Sequence, residues 1–323
     1  MVSTGLTAGA FALATAGAAA WAGGEAASAV AEVASSAVPP TAPSTVPSTV
    51  PSTVGVFALA VLQGLTEFLP ISSSGHLAVG KELMDLHEGG LALDVALHVG
   101  TLFAIIAAFR KDVLQLFQDL VKGRFAMWIW LIVATLPVGV IGILFKDRVE
   151  AASASFIAVA PGFFVTAVWL ILGERARRRS EAKGTAPGAD SVPDPSEGST
   201  PPLKEAVILG CAQAVAIWPG VSRSGSTISA GLLRGISAQE AARLSFLMSL
   251  PAISGAAIVE LPDALDVGFG GIDPGIVLAA AVVAGVVGFL ALKTLLLVLR
   301  KGSFPWFAAY CAALGGLVLF LGS

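Results

Sequence analysis

The sequence predicts an all-α integral membrane protein: an inverted-topology repeat with six transmembrane helices and two re-entrant helix-loop-helix hairpins. Three observations predict it. The composition is too apolar for a water-soluble chain, six apolar runs reach membrane-crossing length, and one polar motif recurs 150 residues later.

Of 323 residues, 55% are hydrophobic and 13% charged, with a mean hydropathy of +0.84. A soluble core of this size needs far less apolar surface. The net charge of -3 is scattered without a basic face, which gives no basis for a nucleic acid partner. Cys211 and Cys311 lie inside apolar stretches without metal-type spacing and read as packing residues.

Residues 1–54 form a tail, with an Ala-rich apolar stretch from Leu6 to Ala22 followed by a Pro/Ser/Thr linker. It reads as signal-like or disordered. Residues 55–323 form the membrane domain, with repeat 1 over 55–173, a cytoplasmic loop over 174–202 and repeat 2 over 203–323.

The six long runs are Leu91–Phe109, Phe125–Phe145, Ala154–Gly173, Ala238–Val259, Pro274–Leu299 and Phe304–Leu321, each near the roughly 20 residues a crossing helix needs. Two shorter runs, Val54–Leu69 and Leu203–Trp218, end in Pro, Ser and Gly and read as halves of hairpins. If both turn back, thirteen of the 19 basic residues share one side, from Arg110 and Lys111 through the Arg175–Arg179 cluster to Arg300 and Lys301. The other side keeps Lys81, Lys146 and Arg148 with an acidic loop of Glu260, Asp263, Asp266 and Asp273. The positive-inside rule makes the basic side cytoplasmic. Full crossing of both runs would split the basic clusters between the two faces, which favours the re-entrant arrangement.

An offset of 150 pairs Gln63 with Gln213, Ile71 with Val221, Ser72 with Ser222, Ser74 with Ser224 and Gly75 with Gly225. Three spans separate the hairpins. An odd number makes them enter from opposite faces, so their polar tips meet near mid-depth. Non-helical backbone survives there only inside protein or beside water, so the tips should line a cavity.

The first tip runs from Gln63 to His76 and the second from Pro219 to Thr227. Gln63 and Glu67, four apart on a helix, share a face. A carboxylate at the C-terminal end of a helix in a low dielectric is disfavoured by desolvation and by the dipole, and a cation relieves both. Two oxygen ligands completed by phosphate oxygens and water suit Mg²⁺ or Ca²⁺. The alternative is an ion pair of Glu67 with Arg223 that ties the repeats together. Ser72-Ser73-Ser74-Gly75 opens a helix whose free N–H groups favour an anion, and His76 adds an acid or base within one turn. His87 and His98 lack such company and read as structural residues. The planar fork of Arg223 fits two phosphate oxygens, and a guanidinium at that depth marks function.

On these motifs the chain from Val54 onward resembles the undecaprenyl-diphosphatase family, the bacitracin-resistance phosphatases of the bacterial cell envelope. Gln63 to Glu67 is similar to its (Glu/Gln)-x-x-x-Glu element and Ser72 to His76 to its serine-glycine-histidine continuation. Pro219 to Thr227 is similar to its Pro-Gly-x-Ser-Arg-Ser-x-x-Thr element. The resemblance implies metal-dependent release of the terminal phosphate from a polyprenyl diphosphate, which recycles the lipid carrier for peptidoglycan synthesis. It implies a bacterial plasma membrane protein among membrane lipids, with its site open toward the outer face. It makes Glu67, Ser73, His76 and Arg223 catalytic, Ser72, Ser74, Ser222, Ser224 and Thr227 substrate-binding, and Gln63 and Glu67 ligands of Mg²⁺ or Ca²⁺. Ser73 is the first choice of nucleophile, with His76 and water as alternatives. The oligomeric state stays open, a homodimer included.

Two departures stand out. Gln63 occupies a place where many members carry Glu, which removes one negative charge from the metal site. The residues before Val54 have no expected counterpart. Two other classes use similar parts. A lipid-phosphate transporter or flippase could bind through the same arginine and serines without cleavage. A type 2 phosphatidic-acid phosphatase would need Lys-x6-Arg-Pro, and His-x3-Asp after Arg223, and the sequence has neither.

Overall fold

A computed structural model describes residues 52–84, 90–183, 200–301 and 304–323. The tail up to residue 51, His87 and the stretch 184–199 of the expected cytoplasmic loop lie outside the described residues.

The described residues form twelve α-helices and no strand. They are α1 (Thr53–Phe68), α2 (Ser73–Leu83), α3 (Gly90–Ala108), α4 (Arg110–Val121), α5 (Ala126–Leu144), α6 (Lys146–Ser153), α7 (Phe156–Ala182), α8 (Leu203–Val215), α9 (Arg223–Leu233), α10 (Ala238–Val267), α11 (Pro274–Lys301) and α12 (Phe304–Leu321). Six of them, α3, α5, α7, α10, α11 and α12, are long and apolar enough to cross a membrane. They coincide with the six runs read from the sequence, and the chain is a multi-pass membrane protein. On α11, Leu278, Val282, Val286 and Leu290 are exposed at four-residue spacing, a stripe that only a lipid environment makes inexpensive.

Toward the interior the helices meet through small residues. A methyl group on Gly100 of α3 would lie 2.1 Å from the carbonyl oxygen of Ala281 on α11, so these two backbones touch directly. Packing between lipid-embedded helices favours such close approach, because burial of apolar surface from water supplies no drive there.

Two helices run past their expected ends. α7 continues beyond Gly173 to Ala182, because Glu174 accepts hydrogen bonds from Arg177 Nε at 2.9 Å and Arg178 Nε at 2.6 Å, pairs that suit helical spacing. α10 continues beyond Val259 to Val267. Glu260, Asp263 and Asp266, expected in an acidic loop, therefore sit on its last turns. Pro262 does not end this helix. Gly268 does, with φ +70° and its N–H donating to the Ala264 carbonyl at 3.0 Å.

Two short helices, α4 and α6, were not anticipated. Trp128 Nε1 donates to the Leu116 carbonyl at 2.9 Å and Arg243 Nε donates to Asp112 at 2.5 Å, fixing α4 against α5 and α10. The segments carrying the recurrent motif form the same serine-capped helix twice. Ser72 and Ser222 cap α2 and α9, each a helix of 11 residues. Each cap Oγ accepts the N–H three residues on, at 3.3 and 3.1 Å, and each contacts the serine two residues on at 3.3 Å.

Candidate active site

Pro70 blocks continuation of α1, and the chain reverses through Leu69 to Ser72. Ser72 takes φ +72°, the only non-glycine with positive φ among the described residues, a strained backbone of the kind that clusters at functional tips. The second reversal uses Pro219 and Gly220, with Gly220 at φ +89°. The tips cross closely: a methyl group on Gly75 would lie 2.9 Å from the Gly220 Cα, and one on Gly162 of α7 would lie 2.3 Å from the Pro219 carbonyl oxygen. Thr166 of α7 pins the second tip, since its Oγ1 accepts the Ser222 N–H at 2.8 Å and lies 3.0 Å from the Gly220 carbonyl oxygen as donor. Ser224 Oγ donates to the Leu69 carbonyl at 3.3 Å, joining the second tip to the first.

At this crossing Glu67 is buried among donors. Its Oε1 accepts from Arg223 Nη2 at 2.6 Å. Its Oε2 accepts from Ser73 Oγ at 2.6 Å and from Gln63 Nε2 at 3.1 Å, and His98 Nε2 lies 3.8 Å away. Among the described residues, Arg223 Nη1 and Gln63 Oε1 are buried without a partner. A cavity of about 270 Å³ opens here, lined by Glu67, Ser73, Ser74, Ser222 and Arg223, by His98 and Glu260, and by apolar residues including Val95, Ile217 and Ile253. The N-termini of α2 and α9 both begin beside it. Glu67 and Arg223 offset one another, and the N-termini of α2 and α9 make the end of the cavity beside them attractive to an anion.

The remaining expected residues sit farther from the cavity. Gln63 is fully buried behind Glu67, and Ser72 and Ser224 serve the tip backbones. Thr227 Oγ1 donates to the Arg223 carbonyl at 2.8 Å and meets Ser245 Oγ at 2.6 Å, tying α9 to α10. His76 is turned toward α12 and α7. Its Nδ1 donates to the Ser72 carbonyl at 2.7 Å, which leaves Nε2 as the acceptor for the Tyr310 hydroxyl at 2.7 Å. Its ring stacks on Tyr310 and meets Phe163 edge-on. Both ring nitrogens are thus engaged away from Glu67 and Arg223.

Two cavity residues were missed by the sequence reading. His98 was read as structural and Glu260 as part of an outer loop. The available signal was Asp94 and His98, four apart in an otherwise apolar span.

The residues suit a hard cation. Glu67 supplies a carboxylate and Gln63 an amide oxygen without a donor, and phosphate oxygens with water would complete the set. Among the described residues no three His, Cys, Asp or Glu converge into a full shell.

Residues 56–317 match the family described as bacitracin resistance protein BacA. The chain is 37% identical over 282 residues to the undecaprenyl-diphosphatase of Desulforapulum autotrophicum, covering 82% of this chain and 96% of the relative. It is 38% identical over 269 residues to that of Halothermothrix orenii, with coverage of 82% and 96%, and 37% identical over 292 residues to that of Methanobrevibacter smithii, with coverage of 82% and 95%.

Proposed function

The chain belongs to the bacitracin resistance protein BacA family, and from that membership we infer that it hydrolyses undecaprenyl diphosphate to the monophosphate and inorganic phosphate. This reaction recycles the lipid carrier for cell-wall synthesis and gives bacitracin resistance. The observation that carries the site reading is a single buried carboxylate, Glu67, joined at 2.6 Å both to Ser73 and to Arg223.

Ser73 Oγ attacks the terminal phosphorus in line with the bridging oxygen. Its proton leaves along the hydrogen bond to Glu67 Oε2. The bond from phosphorus to the bridging oxygen breaks, its electron pair departs on undecaprenyl monophosphate, and water then cleaves the phosphoserine to inorganic phosphate and free Ser73. Arg223 holds Glu67 through Nη2 and takes a phosphate oxygen through Nη1, the nitrogen without a protein partner. Ser74, Ser222 and the free N–H groups heading α2 and α9 hold the remaining oxygens. His76, through the Ser72 carbonyl, sets the angle at which α2 presents Ser73. Glu67 and Gln63 would hold a divalent cation, Mg²⁺ or Ca²⁺, which would neutralise charge on the diphosphate.

We read α1–α2 and α8–α9 as re-entrant hairpins of an inverted repeat. The 16 and 13 residues of α1 and α8 fall short of the roughly 20 that cross a bilayer, and the two capping patterns recur at an offset of 150. The basic clusters on the opposite side support a site open toward the outer face of the plasma membrane. The test is phosphate release from undecaprenyl diphosphate by the purified chain, stopped by EDTA and restored by Mg²⁺ or Ca²⁺. Movement of intact diphosphate across a vesicle membrane without phosphate release would replace this reading with the transporter one.

A further inference from the structure

His98 has a placement that the mechanism above does not use. It projects from the span α3 into the same cavity as Glu67 and Ser73. A carbonyl oxygen only accepts, so the 2.8 Å contact between Nδ1 and the Asp94 carbonyl puts the ring proton on Nδ1. That leaves Nε2 as the ring nitrogen open to a further partner. Nε2 has no hydrogen-bond partner among the described residues and lies 3.8 Å from Glu67 Oε2. An imidazole whose Nδ1–H is held by a backbone carbonyl, with Nε2 open, has the orientation that metal-ligating histidines adopt. Two donor atoms bound to one ion at just over 2 Å each lie roughly 3 to 4 Å apart, a separation that includes the one seen here. Glu260 lines the same cavity.

We propose that His98 Nε2 is a ligand of the divalent cation, alongside Glu67 and Gln63. The inference rests on the cation reading of this site and deepens it by adding a nitrogen donor to the oxygen ligands. Mg²⁺ and Ca²⁺ take oxygen ligands, whereas an imidazole nitrogen favours Mn²⁺, Co²⁺ or Zn²⁺.

The experiment uses Mn²⁺ alone as the probe, added to the purified full chain without lipid substrate and read by pulsed electron paramagnetic resonance. The expected spectrum carries a directly bound histidine nitrogen, changes when the chain is labelled with [¹⁵N]histidine, and loses that coupling in His98→Gln. The same variant should bind Mn²⁺ at least about tenfold more weakly, while His76→Gln keeps the coupling because both its nitrogens are engaged elsewhere. The labelling experiment needs no variant, so the absence of a histidine-nitrogen coupling refutes the proposal even where a substitution fails to fold. Bound Mn²⁺ without a nitrogen coupling, or a coupling that survives His98→Gln, overturns the role of His98 and leaves the cation reading standing. No Mn²⁺, Mg²⁺ or Ca²⁺ binding at all overturns both.

Discussion

Arg223 and Glu67, 156 residues apart in sequence, meet at 2.6 Å in the interior. The pair relieves the cost of burying each charge alone, and it uses only one tine of the guanidinium fork. The other, Nη1, stays buried and has no partner among the described residues. A site that keeps one strong donor free is prepared for an anion before the anion arrives.

Lysine at position 223 keeps the charge and loses the fork, so it cannot hold Glu67 and phosphate together. Arg223→Lys should lower kcat/KM for phosphate release at least about 100-fold, the scale of losing one oxyanion donor. Near-native turnover would show that a point charge suffices there.

His76 lies against Tyr310 rather than in the cavity. Tyr310→Phe leaves Nε2 without its donor, a loss of about 1 kcal/mol in stability, and should leave the pH profile of kcat unmoved. A shifted profile would put His76 in the proton path.

Gly162 lets α7 carry the second tip, with the Pro219 carbonyl 2.3 Å from where a methyl group would sit. Gly162→Ala should cost about 1–3 kcal/mol in stability and should lower phosphate release as well, because it displaces the loop leading to Arg223. A destabilised but fully active variant would uncouple the tip from catalysis.

Much of this arrangement was legible in the linear chain. The length of an apolar run predicts a span, and the recurrence of Ser-x-Ser-Gly at an offset of 150 predicts two tips of one design. The sequence also paired Glu67 with Arg223, as the alternative to a cation. It did not reveal which way α2 turns. Ser73 and His76 share one turn, yet the Ser72 carbonyl captures one ring nitrogen and Tyr310, 234 residues away, takes the other. Tyr310 sits in an apolar run with no motif to mark it. His98 was hidden for a similar reason, since its neighbour Glu67 is reached across two helices. Glu260 was misread because Pro262 and flanking acids resemble a loop, while the stop signal that acts is Gly268.

Glu205 heads α8, outside the six spans, and accepts from Arg234 Nε and Nη2 at 3.0 and 3.1 Å. These hydrogen bonds hold its carboxyl below the usual value of 4.5, outweighing the opposing effect of burial. A depressed carboxylate contributes stability that is present above its unfolded value and lost as pH falls through its folded value. The melting difference between the native chain and Glu205→Gln should therefore be present at neutral pH and shrink below about pH 4.5. It should be small throughout, because Arg234 is exposed. A difference that grows in acid would reverse the assignment.

The most direct measurement is the rate of inorganic phosphate release from undecaprenyl diphosphate by the purified chain and by Ser73→Ala. Ser73, held by Glu67 beside Arg223, should account for turnover, so the variant should fall about a thousandfold or more while retaining its fold and its binding of the lipid. Release by Ser73→Ala at a rate near that of the native chain would contradict the account.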